Sequence, residues 1–178
     1  MADTYRIIPR TDIGLPSVVR NINGSRRPPL HNEPTITLHY TGVSSRDYKT
    51  HDVGEYVRHI QQIWKHTKPW EYNYVIGQNW DDAIYEFAGT YQAAHSKGEN
   101  SSSFGVLFFN STREPLTCQQ IDKYRWLRDV LIYVGELAPN PQQVPHYKMP
   151  GAKTLCPGTL IKRKVSDLSE PWGGHYCL

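Results

Sequence analysis

Cysteine is scarce in this chain of 178 residues: there are three, Cys118, Cys156 and Cys177, an odd number without close pairing. That argues against a disulfide framework and leaves at least one thiol for other work. Long apolar runs are missing too, and nothing approaches the ~20 residues of a membrane-spanning helix, so no membrane partner is expected. The opening stretch from Met1 to Arg10 has no apolar core between a basic start and a small-residue cleavage site, so no secretory signal is read there. A surplus of one charge is lacking as well: 20 Lys and Arg stand against 17 Asp and Glu, a formal charge of +3. The one basic cluster, Lys162-Arg163-Lys164, is too short to argue for nucleic acid, although a mild positive balance suits an anionic polymer such as a cell wall. Internal repeats and low-complexity segments are absent.

What is present describes one globular domain. Hydrophobic residues make up 38% and charged residues 21%, with 5 Trp and 12 Tyr, enough for a sizeable core. Residues 1–34 carry Pro9, Pro16, Pro28, Pro29 and Pro34 without a sustained period and read as an N-terminal arm. Residues 35–165 hold the periodic segments of the domain itself, and 166–178 read as a C-terminal surface tail. Thr35 to Tyr40 alternates as a strand with His39 at its C-terminal end, where α/β sheets place ligands. Asp52 caps an amphipathic helix through Trp64. Tyr72 to Gly77 and Ala83 to Phe87 read as a hairpin, and Phe104 to Phe109 as a buried central strand. Thr117 and Gln120 have capping-box spacing, and an apolar stripe continues that helix to about Leu137. A short extended piece, Gln143 to His146, precedes a loop from Tyr147 to Pro157.

The residues best suited to chemistry are His39, His146 and Cys156. Two imidazoles and a thiolate bind zinc well and leave a fourth tetrahedral position open, as a catalytic metal requires. Spacing alone leaves a second reading, in which His39 is a hydrogen-bonded core histidine. Trp80, in the hairpin turn, is placed to stack on a sugar.

Four segments in order then resemble the zinc-dependent N-acetylmuramoyl-L-alanine amidases, the type shared by phage endolysin amidases and peptidoglycan recognition proteins. They are Ile36-Thr-Leu-His-Tyr-Thr-Gly42, Tyr72-Asn-Tyr-Val-Ile-Gly77, Ala94-His-Ser-Lys-Gly-Glu-Asn100 running into Phe104-Gly-Val106, and His146 to Cys156-Pro-Gly158. The resemblance implies a single α/β domain with a central mixed, mostly parallel sheet flanked by helices, and a zinc in a surface cleft. It places the zinc ligands on His39, His146 and Cys156 and the water-orienting tyrosine on Tyr72. The oxyanion partner falls on Thr154 by register and on Lys153 by charge. His95 matches a histidine lining the substrate groove, and Asn100 and Ser101 in the same loop offer donors and acceptors to a peptide stem. Some members carry a glutamate base on the central strand, where this chain has Leu107, Phe108 and Phe109. Glu86 is a poorer substitute, with a salt bridge as its alternative role.

The expectation is therefore zinc-dependent hydrolysis of the amide between N-acetylmuramic acid and L-alanine in peptidoglycan. With no signal or anchor read and one compact domain, the most economical setting is a monomeric phage endolysin, made in the host cytoplasm and released to the wall by a holin, with a bacterial effector or remodelling enzyme as the alternative. The rival readings are a non-catalytic peptidoglycan-binding module of the same fold and a basic nucleic-acid-binding domain, which the diffuse charge does not support.

Overall fold

The alternation from Thr35 to Tyr40 becomes an interior strand of the sheet. In the computed structural model, which describes residues 5–15, 17, 28–42, 72–77, 82–111, 114–158 and 168–170, six strands form one sheet. They are β1 (Arg6–Ile8), β2 (Glu33–Tyr40), β3 (Tyr74–Ile76), β4 (Ala83–Glu86), β5 (Phe104–Phe108) and β6 (Leu137–Pro145). Their order is β1-β4-β3-β5-β2-β6. Only the β3/β4 hairpin is antiparallel; the other neighbours run parallel. A mostly parallel sheet is covered on both faces, so its strands are apolar on both sides, as in β5, where every residue is buried.

The period of two sorts β2 between two layers. Ile36 and Leu38 join Tyr74, Ile76, Phe104, Val106 and Phe108 beneath Ile121, Tyr124, Leu127 and Leu131 of helix α1 (Cys118–Tyr133). Thr37 and His39 point to the opposite face. There a second cluster joins Val75, Tyr85 and Leu107 to Ile13, Leu15, Phe87, Ala88 and Ala93.

Helix α1 begins as expected. Thr117 Oγ1 accepts from Gln120 N–H at 3.2 Å, and Gln120 Oε1 accepts from Thr117 N–H at 3.1 Å. Such a capping box contributes about 1 kcal/mol. The helix ends earlier than the apolar stripe suggests. Gly135 adopts φ 79°, its N–H donates to Ile132 O and Glu136 N–H donates to Leu131 O, a Schellman stop that left-handed glycine favours. Leu137 then opens β6 instead of closing the helix.

Further details go beyond the sequence reading. β6 is a nine-residue strand where a short piece was read; Pro139, Pro141 and Pro145 mask it, and an edge strand tolerates them. Part of the N-terminal arm joins the sheet: β1 pairs with β4, and buried Tyr5 meets Trp126 edge-on at 6.2 Å. Residues 168–170 of the tail are anchored: Leu168 is fully buried in the helix-side core, and Arg128 donates to the Leu168 and Glu170 carbonyls at 2.7 and 2.9 Å. Cys118 is disulfide-bonded, which corrects the reading against disulfides, whereas Cys156 is in no disulfide and keeps its thiol. The helix read from Asp52 to Trp64, and Trp80, lie outside the described residues. Among the described residues no helix is long and apolar enough to cross a membrane.

Candidate metal centre

The site is assembled where β2 and β6 end side by side. Leu38 is in register with Pro145, so the next residue of each strand, His39 and His146, emerge together with ring centroids 4.5 Å apart. His146 opens a 3₁₀ turn, His146–Lys148. The chain then loops back, and Tyr147 N–H donates to the Cys156 carbonyl at 2.9 Å. Cys156 N–H donates to Thr154 Oγ1 at 3.1 Å. This local turn sets the Cys156 Sγ 3.6 Å from His39 Nδ1.

One ligand atom from each of His39, His146 and Cys156 lies within 4.8 Å of the others. The donor set fits zinc in chemistry and in spacing. Nitrogen at ~2.05 Å and sulfur at ~2.3 Å from one tetrahedral ion lie roughly 3.6 Å apart, which is the Sγ to Nδ1 separation found.

Burial tunes the imidazoles toward ligation. Desolvation pushes His39 well below its ordinary pKa, with His95 and His146 adding to the shift. Burial takes His95 from 6.5 to about 4, against a raising hydrogen bond from the Ser103 backbone. Half-buried His146 is lowered by desolvation. All three are therefore neutral near pH 7, with lone pairs available.

An acid limit on stability follows. A histidine whose pKa is lowered by folding binds its proton more readily when unfolded, so its contribution is intact above about 6.5 and is lost as pH falls toward the folded value. For buried His95, a shift from 6.5 to about 4 corresponds to about 3 kcal/mol. Metal-free protein should lose stability steadily from pH 6.5 to 4, as read by urea unfolding in chelator. A midpoint unchanged across that window would contradict the buried, neutral histidines.

The other expected site residues divide. The Tyr72 ring lies 5.0 Å from His39, inclined at 62°. Adjacent Asn73 anchors it: fully buried, it accepts from Gly105 N–H at 2.7 Å and donates to the Gly89 and Tyr91 carbonyls. Exposed Lys153 and half-buried Thr154 line a cleft of about 490 Å³ together with His146, Lys97 and Asn100. Thr154 Oγ1 accepts from Cys156 N–H, which leaves its own O–H to donate elsewhere. Asn100 fastens its loop, accepting from Ser96 N–H at 2.8 Å. Ser101 is exposed and lies outside the residues lining this cleft. Glu86 is held by Arg10 at 2.8 Å and serves as a structural ion pair.

His95 lines the cleft with only 5% of it exposed, and both ring nitrogens are engaged: Nδ1 lies 3.2 Å from His39 Nε2, and Nε2 3.0 Å from the Ser103 carbonyl. Its ring lies against Gly105, where a Cβ would come within 2.5 Å. Sequence reading missed Asn73, Ser103 and Gly105. The one legible signal was a glycine inside an apolar strand, which marks a close approach.

A family profile described as N-acetylmuramoyl-L-alanine amidase matches residues 31–159. No curated protein matches the chain in sequence. Among solved structures, Drosophila PGRP-LB superposes with a TM-score of 0.77 at 22% identity, covering 92% of this chain and 94% of that one. Human PGRP-IBETAC, solved in complex with glycosamyl muramyl pentapeptide, gives 0.71 at 24% identity over 90% and 94%. Bumblebee PGRP-SA gives 0.75 at 16% identity over 92% and 95%. At these identities the structural likeness establishes the fold.

Proposed function

The chain belongs to the N-acetylmuramoyl-L-alanine amidase family, and from that premise we propose that it hydrolyses the amide between N-acetylmuramic acid and L-alanine in peptidoglycan. The observation that carries the reading is the convergence of His39, His146 and Cys156 beside an open cleft. A module that only bound wall fragments would have no need of a two-nitrogen, one-sulfur set at ligand spacing.

His39, His146 and Cys156 would hold zinc. Bound there, the ion supplies Lewis acidity that activates water and polarises the scissile carbonyl. Tyr72, beside His39, orients the attacking water through its hydroxyl. Lys153 or Thr154, across the cleft, donates to the oxyanion as the carbonyl carbon becomes tetrahedral. The central strand offers no carboxylate, and Glu86 is committed to Arg10, so tyrosine is the protein's own group at the water. No covalent intermediate is needed, and the Cys156 thiolate acts as a ligand.

Digestion of purified peptidoglycan, with mass analysis of the soluble products, tests the reading. Stem peptides bearing a free L-alanine amine are expected. Intact wall with undiminished fragment binding would favour the recognition reading, which the family's fold also serves. The endolysin setting is part of the same proposal, and clearing of membrane-permeabilised bacteria tests it.

Lys153→Ala and Thr154→Ala should differ. Loss of an oxyanion donor typically costs ~10²-fold in turnover, so the variant with the larger fall in kcat identifies the partner. Equal, small effects from both would remove this loop from catalysis. Thr154→Ala also frees Cys156 N–H, so zinc content must be measured alongside.

A further inference from the structure

We propose that His95 is a positioning residue that fixes the tautomer and ring orientation of His39, aiming the His39 Nδ1 lone pair into the metal centre. The inference rests on the metal-centre reading above and goes beyond it, because it assigns His95 to the ligand instead of to the substrate.

The direction of the hydrogen bonds can be worked out from the far end. His95 Nε2 faces two oxygens, the Ser103 carbonyl at 3.0 Å and Ser103 Oγ at 3.4 Å. A carbonyl can only accept. The Ser103 hydroxyl spends its proton on the Glu99 carbonyl at 2.9 Å, so it too can only accept from the ring. The His95 proton therefore sits on Nε2. In a buried neutral imidazole the other nitrogen, Nδ1, must then be an acceptor. Its partner, His39 Nε2 at 3.2 Å, must donate. With its proton on Nε2, His39 presents a bare lone pair at Nδ1, the atom 3.6 Å from Cys156 Sγ.

The chain of bonds runs through a rigid seat. Thr37, two residues before His39 on the same face, donates to Ser103 Oγ at 3.2 Å. The missing side chain at Gly105 makes the hollow in which the His95 ring lies. Outer partners of metal-bound histidines are typically worth ~10–100-fold in metal affinity.

Two variants separate this role from packing. His95→Phe preserves a ring and most of the volume but removes the acceptor; His95→Asn loses volume but keeps an acceptor oxygen near the Nδ1 position. The measurements are zinc affinity by chelator competition and the His39 tautomer by ¹⁵N NMR of metal-free protein, with thermal melts to establish folding. We expect the Nε2–H tautomer at His39 in the parent and in His95→Asn. We expect tenfold or greater weakening of zinc binding in His95→Phe, and partial rescue in His95→Asn. Phenylalanine binding zinc as well as or better than asparagine would mean the ring only packs, and would overturn the proposal. An Nδ1–H tautomer at His39 in the parent would overturn it as well. A parent that retains no zinc would defeat the metal-centre reading instead, and the tautomer measurement would still decide the hydrogen-bond chain.

Discussion

Cys156→Ser is expected to lose bound zinc and hydrolysis together while the protein stays folded. Serine is nearly the size of cysteine, but its neutral hydroxyl is a far poorer zinc ligand than a thiolate. The buried hydroxyl can still donate to His39 Nδ1, 3.6 Å from the sulfur it replaces, so no polar atom is stranded. Losing one oxyanion donor costs ~10²–10³-fold in turnover. Removing a ligand that holds the ion should cost at least that much, because water activation and carbonyl polarisation disappear together. Fragment binding should survive, since the cleft walls around Lys97, Asn100 and Lys153 do not depend on Cys156. Paired measurement of zinc content, product release and muramyl-peptide binding on the folded variant decides it. Retained zinc with retained hydrolysis would strike Cys156 from the ligand set; loss of all binding would show that the metal also anchors the ligand.

Gly105→Ala should destabilise the protein sharply. Elsewhere in a strand, exchanging glycine for alanine tends to stabilise, because it lowers the entropy of the unfolded chain. Here the new Cβ would meet His95 Cγ, Cδ2 and Cβ at 2.5, 2.7 and 2.8 Å. The ring cannot swing aside without leaving both His39 and the Ser103 carbonyl. Overpacking of this kind costs about 1–3 kcal/mol, a fall of several degrees in Tm for a domain of this size, at ~2–4 °C per kcal/mol. Zinc affinity should fall with it, since displacement of His95 releases His39. The double variant with His95→Ala should be less destabilised than the sum of the two single changes, because the second substitution removes the obstacle to the first. Strict additivity in thermal melts would show that Gly105 and His95 are not in the contact described.

Much of the architecture could be read without coordinates. The period of two in β2 and the apolar run of β5 marked two interior strands. The capping box marked the start of α1 to the residue, because its hydrogen bonds join positions three apart. The His39, His146 and Cys156 group that could hold a metal was legible from donor chemistry and family resemblance, since few side-chain types hold a metal and this chain has few cysteines. Where the sequence misled, the reason was local. Three prolines disguised β6, and the proline-rich start of the chain hid β1, whose three residues are too few to show a period. Leu168 carries no periodic neighbours, yet it is fully buried.

The sequence by itself determined the fold class, the principal strands, the start of the helix and which residue types could meet a metal, because each of these depends on local pattern or on intrinsic side-chain chemistry. Only the tertiary structure decided that the His95 ring meets His39, that Gly105 lies against that ring, and that Glu86 pairs with Arg10. These pairings join residues 56, 10 and 76 positions apart. Contacts of that kind are set by strand order and by which face of the sheet each side chain occupies, and no periodicity along the chain encodes them.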